Sequence, residues 1–434
     1  MNRKYFINFS WIVIERICRV TISFLVTTYV IRYLGPHDYG MLSFAVSFVA
    51  FFSVFTTLGL DNILVRNLVR SPSMESLLLG TGLALRAIGA IFGFMLVVGV
   101  LAFTKYDRQT NLLVIVVASG MLLGPMGIIE PLFQSKVKAR FPALSKLWAM
   151  VTVSVLRLAL IALNATVRQF AWLLVVEKTI FNGALCFYYF KNRTHRLKWQ
   201  FRLSLAKELL RDSWPLIFSG LVVMVYMRID QVMIREMLGA EPLGYYAAAV
   251  FLAEGWYFLG TAVSSTLLPF IVQSRGKNQR IYYARLQQYY QIMVWMALSI
   301  AIPVHFQADW LISLLYGPAF SPAAGVLRIN IWTGVFVFLG LASTSWLVAE
   351  NLQFISLIRS IAGALLNILM NLILIPVIGI LGAAIATLCS QILASYVAYA
   401  FSKTTFNNFI MQTKAFIPPF RLIRRIVSSK SLMP

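Results

Sequence analysis

The feature that most constrains this chain is a succession of long apolar runs. Twelve can be marked, at about 10–32, 41–60, 80–103, 111–133, 143–164, 168–190, 213–237, 245–270, 284–306, 326–349, 356–377 and 380–402. Each has roughly 20 residues or more, enough to cross a hydrocarbon core of ~30 Å at ~1.5 Å of rise per residue. In lipid every backbone N–H and C=O needs a partner within its own segment, so the runs read as helices. The alternating pattern of a lipid-facing β-barrel is absent from the sequence. Arg3 and Lys4 make the N-terminus basic, but the apolar run after them is too long for a signal-peptide core and has no clear cleavage site. It reads as a retained first span.

Composition removes the competing classes. Apolar residues are 59% of the chain and charged residues 12%, against about 45–50% and about 25% in soluble domains. The formal net charge is +23. A nucleic-acid binder would gather such bases on a polar face; here they lie mostly between the apolar runs, and no nucleic-acid partner is expected. If the N-terminus is cytoplasmic and the spans alternate, the cytoplasmic segments hold twenty-five Lys and Arg and the opposite side six. That asymmetry places both termini of a multi-pass protein in the cytoplasm; the inner membrane is the expected location.

A charge inside a span costs roughly 2.5–3.5 kcal/mol on the insertion scale and normally faces a bundle interior. With bases near run ends counted with the adjoining segments, the bases within spans are Arg16, Arg19, Arg86, Arg157, Lys178, Arg228 and Arg359; the spans also carry the acids Glu15, Glu177, Asp230 and Glu254. Bases exceed acids, and a basic lumen suits an anionic cargo. Arginine in particular grips two phosphate oxygens at once. Arg19, Arg86, Arg157, Arg228 and Arg359 are therefore the candidate substrate-binding residues. For Arg16, Arg86 and Arg359 the competing reading is a side chain that snorkels to the interface. Glu15 and Arg19 are four apart and can pair on one helix face, whereas Arg228 and Asp230 point apart and each needs a partner elsewhere. Asp230 and Glu15 are candidate sites for a coupling ion, H⁺ or Na⁺, because a buried carboxyl can titrate near neutrality.

The remaining residue types exclude more than they suggest. Cys18, Cys186 and Cys389 lie far apart within apolar runs, and His37, His195 and His305 stand alone, so neither a disulfide framework nor a metal site is expected. No phosphate-loop, HExxH or GxSxG motif occurs, the outer loops are short, and no catalytic residues are expected. Tyr and Trp gather near span ends as an interfacial belt; only deep aromatics such as Tyr226 and Trp332 suit sugar stacking.

An internal repeat divides the chain. Residues 34–40 read LGPHDYG and residues 238–244 read LGAEPLG, and Ala45-Val46 recurs as Ala249-Val250 at the same offset. Each motif follows the first span of a half, and its glycines permit a tight turn. Six spans per half give both halves the same orientation, a parallel repeat. The expected organisation is a six-helix bundle over 1–190, a basic cytoplasmic linker over 191–212, a second six-helix bundle over 213–402 and a basic, solvated cytoplasmic tail over 403–434.

Four stretches carry a family likeness: YVIRYLGPHDYGMLSFAVSF at 29–48, RIDQVMIREMLGAEPLGYYAAAV at 228–250, LLYGPAF at 314–320 and NLILIPVIGILGAAIATLCSQI at 371–392. With the twelve-span layout, the chain resembles the Wzx-type flippases of O-antigen and polysaccharide repeat units, within the multidrug/oligosaccharidyl-lipid/polysaccharide exporter superfamily. The resemblance implies an all-α membrane protein of two six-helix bundles around a central lumen, with access alternating between the two sides. It implies a cargo of oligosaccharide on undecaprenyl diphosphate, moved from the cytoplasmic to the periplasmic leaflet. It implies a polysaccharide polymerase and a chain-length regulator as partners, and for some relatives an ion gradient. Asp230 stands in the RIDQ stretch, where relatives often carry an acid. A small-molecule exporter of the multidrug-and-toxin type is the alternative, but its lumen for cationic drugs should be acidic or aromatic rather than rich in Arg. Lipid II flippases have more spans than this chain.

Overall fold

The structure is a computed structural model that describes residues 3–192, 199–275, 279–350 and 352–418, with the side chains of 3–18, 268–270, 272–275, 348, 349 and 353 outside the description. Among the described residues every regular element is helical. Eleven helical stretches are long and apolar enough to cross a membrane. The first of them, Arg19–Arg70, holds two of the expected spans, because the helix Arg3–Thr57 is broken at Gly35 (φ 71°, ψ 175°) and followed by Pro36. Only glycine adopts that backbone without strain, and the proline that follows has no N–H to continue the ladder. With that stretch counted as two, the described residues are consistent with the twelve spans that the apolar runs predict.

The second copy of the motif has matching backbone chemistry. Gly239 closes the helix Leu203–Leu238 at φ 100°, the residue equivalent to Gly35 at the repeat offset. The last glycines of the two motifs face each other reciprocally. A Cβ on Gly40 would strike the backbone of Ala240, and a Cβ on Gly244 would strike the backbone of Pro36. Pro36 is the repeat partner of Ala240, and Gly40 that of Gly244. The two motifs therefore pack by a self-complementary contact in which each supplies both halves, as two-fold-related surfaces do.

The chain forms two compact units. One comprises Met1–Gly244 with Leu315–Ala319, and the other Tyr245–Leu314 with Phe320–Pro434. In the first, Leu60, Leu64, Leu79, Ile128, Leu185 and Leu209 are fully or almost fully buried in one core. The helix Leu203–Leu238 belongs to this unit, since its Leu205, Ala206 and Leu209 enter that core. The units thus divide after Gly244, later than the 191–212 linker read from the repeat; the seventh span packs on the helices before it. Backbone contacts seat the end of the linker there too: Gln200 N–H donates to the Ser76 carbonyl at 3.3 Å and Arg202 N–H to Thr81 Oγ1 at 3.2 Å.

The second unit is built around Tyr290, Met293, Val294, Phe338, Leu339 and Leu347. It includes a helix, Phe406–Ala415, within the stretch expected to be a solvated tail. That expectation fails for this helix. Asn408, Gln412 and Ala415 are completely buried. Gln412 Nε2 donates to Ser343 Oγ at 2.5 Å and to the Ser395 carbonyl at 3.0 Å, Tyr290 donates to Asn408 Oδ1 at 2.5 Å, and Gln287 Nε2 donates to the Met411 carbonyl at 3.1 Å. The spacing of Asn408, Met411, Gln412 and Ala415 is that of one helix face. Residues 419–434 of the tail lie outside the described residues.

Candidate functional site

A cavity of about 580 Å³ opens inside the first unit. Three helix faces make most of its wall. Val46, Val49, Ala50 and Ser53 come from the helix after the Gly35 break, Lys146 and Ala149 from Arg140–Ala162, and Leu174, Glu177, Lys178 and Phe181 from Val167–Asn192. The spacings i, i+3, i+4 and i+7 put each set on one side of its helix. The small residues Ala50, Ser53 and Ala149 leave the space, and Arg19 of the first span and Val117 complete the lining.

Charge sets the character of this space. Arg19, Lys146 and Lys178 line it against one carboxylate, Glu177. Arg157 extends the basic face: it stands on the same face of its helix as Lys146, eleven residues on, or about 16 Å along the axis. Its Nη2 lies 3.4 Å from Glu177 Oε2 and its Nη1 3.5 Å from Thr27 Oγ1. Lys146 Nζ donates to Glu130 Oε1 at 2.6 Å and lies 5.8 Å from the centre of the Phe181 ring. Counting Arg157 and Glu130 with the lining, four cations meet two carboxylates. The cavity can therefore accept an anion and place an apolar or ring-shaped group beside Phe181.

The other arginines sit elsewhere. Arg86 is 3% exposed and pairs with Asp61 at 2.5 Å, holding the helix Leu60–Arg70 to the helix Glu75–Phe103. Arg359, in the second unit, is buried and donates to the Ala394 carbonyl at 3.1 Å, to Thr344 Oγ1 at 2.7 Å and to Ser356 Oγ at 3.3 Å, with its guanidinium 5.5 Å from the centre of the Tyr399 ring. Both bind their own bundle. Arg228 is half-buried on Leu203–Leu238 and makes no ion pair among the described residues. Asp230 is buried in the first unit, where its Oδ1 accepts from the Gln231 N–H at 2.7 Å, and Gln231 Oε1 accepts from Ser47 Oγ at 2.7 Å. The side chains of Glu15 and Arg16 lie outside the described residues, and with them the Glu15–Arg19 pair.

Sequence reasoning placed Arg19 and Arg157 among the candidates and missed Lys146, Glu177 and Lys178 as a group. From the sequence Lys146 reads as one of the cytoplasmic bases, yet it stands nearly two turns inside its helix and lines the cavity. The available signal was the helical face shared by Lys146 and Arg157.

A second charged cluster of the first unit lies at the loop between the helices Glu75–Phe103 and Arg108–Ser119. Asp107 caps the latter helix, accepting from Thr110 N–H at 3.0 Å and from Thr110 Oγ1 at 2.6 Å. Arg235 Nη2 lies 3.5 Å from Asp107 Oδ1, and Tyr106 donates to Glu236. Burial pushes the Asp107 carboxyl up, but the Thr110 hydrogen bonds and the Arg235 charge outweigh it, and the group lies below its usual range. Burial, then the bond to Glu236, raises the Tyr106 hydroxyl.

Comparison with known proteins supplies the family. Residues 7–275 match the family described as polysaccharide biosynthesis protein, and residues 215–373 match the MatE family. The chain is 21% identical over 405 residues to the capsular polysaccharide biosynthesis protein CapF of Staphylococcus aureus, covering 92% of this chain and 99% of that protein. Among solved structures it is similar to the lipid II flippase MurJ in an inward closed conformation, at 13% identity and a TM-score of 0.71 over 99% of this chain and 93% of that one. It is similar also to an inward-facing multidrug resistance MATE family transporter of the MOP superfamily, at 14% identity and a TM-score of 0.70 over 90% and 95%. At these identities the structures establish the fold alone: an all-helical, multi-pass membrane architecture.

Proposed function

This chain belongs to the polysaccharide biosynthesis protein family of the multidrug/oligosaccharidyl-lipid/polysaccharide exporter superfamily, and from that premise we propose that it is a flippase for a lipid-linked oligosaccharide. The cargo is a polysaccharide repeat unit, of O-antigen type or similar, on undecaprenyl diphosphate, carried from the cytoplasmic to the periplasmic leaflet of the inner membrane by alternating access. The observation that carries this reading is the basic cavity within the first unit, where Arg19, Lys146 and Lys178 face a space of about 580 Å³. Cations gathered around a cavity inside a helical bundle suit an anion that joins them for part of the cycle. A diphosphate head on an apolar tail supplies that anion, and its sugars suit the Phe181 side of the cavity.

The roles follow from placement. Arg19, Arg157 and Lys178 hold the phosphates in a low-dielectric space where each contact is stronger than in water. Arg228, on the neighbouring helix, is a further cation for the path. Asp230 is the acid for a coupling ion, H⁺ or Na⁺. The polymerase and chain-length regulator of the same polysaccharide are the partners on the receiving side.

A small-molecule exporter is the second reading, favoured by the MatE match over residues 215–373. A basic cavity disfavours the cationic drugs such a transporter would take. The test is the lipid-linked glycan pool of a deletion strain, with and without the gene restored. Accumulation of undecaprenyl-linked repeat units with loss of surface polysaccharide, both reversed by the gene, supports the flippase. An unchanged pool with altered drug susceptibility supports the exporter.

A further inference from the structure

We propose that Glu177 is an internal stand-in for the cargo's anion: it occupies Arg157, beside the first-unit cavity, when that cavity is empty, and is displaced from it when a phosphate enters. The inference rests on the cavity being an anion site, and adds to it the residue that competes for that site.

Geometry separates this ion pair from the shorter ones of the unit; Arg235–Asp107, at the loop after Phe103, is as long at 3.5 Å but lines no part of the cavity. Arg86–Asp61, Arg66–Asp212, Lys136–Glu75 and Lys146–Glu130 close to between 2.5 and 2.7 Å. Arg157–Glu177 is held by one nitrogen and one oxygen at 3.4 Å. A structural arginine–carboxylate pair in a membrane interior should be short and two-pronged, since its attraction must offset the desolvation of both charges. The second prong of Arg157 is instead spent on Thr27 at 3.5 Å. Arg157 is thus only loosely partnered on both sides, and its fork remains available to a bidentate acceptor.

Glu177 stands where an entering anion must compete with it. It lines the same cavity as Arg19, Lys146 and Lys178, and Lys178 is its neighbour in sequence. Its side chain is 42% exposed while that of Arg157 is 18% exposed, so the carboxylate has room to swing away and the guanidinium does not. Lys146 is committed to Glu130 at 2.6 Å, which leaves Glu177 as the carboxylate nearest the loosely held cation. A phosphate offers Arg157 two oxygens where Glu177 offers one, so exchange favours the cargo without requiring the empty cavity to hold an uncompensated cation. After release, Glu177 returns to Arg157 and helps expel the anion. Glu177 would in this way keep binding weak enough for turnover.

The test measures binding of inorganic pyrophosphate to the purified full-length protein in detergent, for the wild type, Glu177→Gln, Arg157→Gln and the double variant. Glu177→Gln should bind about tenfold more tightly than wild type, because the competitor is removed and the cations remain. Arg157→Gln should bind about tenfold more weakly. In the double variant the gain from Glu177→Gln should vanish, since the competition acts through Arg157. Glu177→Asp, which keeps the charge but shortens its reach, should lie between wild type and Glu177→Gln and serves if the glutamine variant does not fold. Equal or weaker binding by a folded Glu177→Gln, beside the expected loss in Arg157→Gln, overturns this proposal alone. No pyrophosphate binding by any variant overturns the anion cavity as well. A parallel titration with glucuronate separates phosphate from an acidic sugar as the anion that displaces Glu177.

Discussion

Replacing Gln412 with alanine should destabilise the second unit by about 2 kcal/mol. Gln412 is completely buried and gives two hydrogen bonds, to Ser343 Oγ at 2.5 Å and to the Ser395 carbonyl at 3.0 Å. Losing both costs roughly 2 kcal/mol at about 1 kcal/mol each. The small cavity left behind costs about 1 kcal/mol more. Gln412 Oε1 has no partner among the described residues, and removing a buried unpaired acceptor returns about 1 kcal/mol. At 2–4 °C per kcal/mol for a unit of this size, the midpoint should fall by roughly 4–8 °C. Thermal unfolding of the purified protein, followed by size-exclusion fluorescence, measures this. Lys414→Ala, at an exposed position of the same helix, is the control and should stay within about 1 °C. If Gln412→Ala matches the control, the helix Phe406–Ala415 is not docked as described and the residues after 402 are a solvated tail after all.

Two further predictions concern the first unit. Gly40→Ala and Gly244→Ala should each lower the unfolding midpoint, by about 1–3 kcal/mol of overpacking, since each new Cβ meets backbone, which cannot turn aside as a flexible side chain can; unchanged midpoints for both would refute the reciprocal contact. The Asp107 carboxyl lies below its usual range in the folded protein. Its stabilising contribution is therefore complete above the unfolded value of about 3.9 and is lost as pH falls through the still lower folded value. Between about pH 4 and pH 2.5 the wild type should lose more stability than Asp107→Asn; parallel curves would show that the Thr110 and Arg235 contacts do not bias Asp107 ionisation.

The sequence carries the fold in two forms. Apolar runs of membrane length define the spans, and the repeated LG motif marks Gly35 and Gly239, whose positive φ the structure shows. Both signals survive without knowledge of packing because they reflect the solvent and the backbone. The helix Phe406–Ala415 escapes such reading: it is too short to span a membrane, and its buried face is made of Asn and Gln as much as of apolar residues. The cavity is legible in part. Arg19 and Arg157 stand out as charges within spans, but Arg86 and Arg359 stand out equally and prove to be tied to Asp61 and to Thr344 and Ala394. Hydropathy reports depth in the membrane and says nothing of which way a side chain faces. Lys146 was obscured for the opposite reason, since a base near the end of a span reads as part of the adjoining loop.

The most direct test of the central claim is reconstitution of the purified protein in liposomes carrying an undecaprenyl-diphosphate-linked oligosaccharide, with its leaflet distribution read by an impermeant reagent. The account predicts protein-dependent equilibration between leaflets, reduced at least about tenfold by Arg19→Gln or Arg157→Gln, and unaffected by Arg280→Gln on the exposed surface of its helix. No protein-dependent movement, or equal movement in all three variants at equal protein levels, would contradict it.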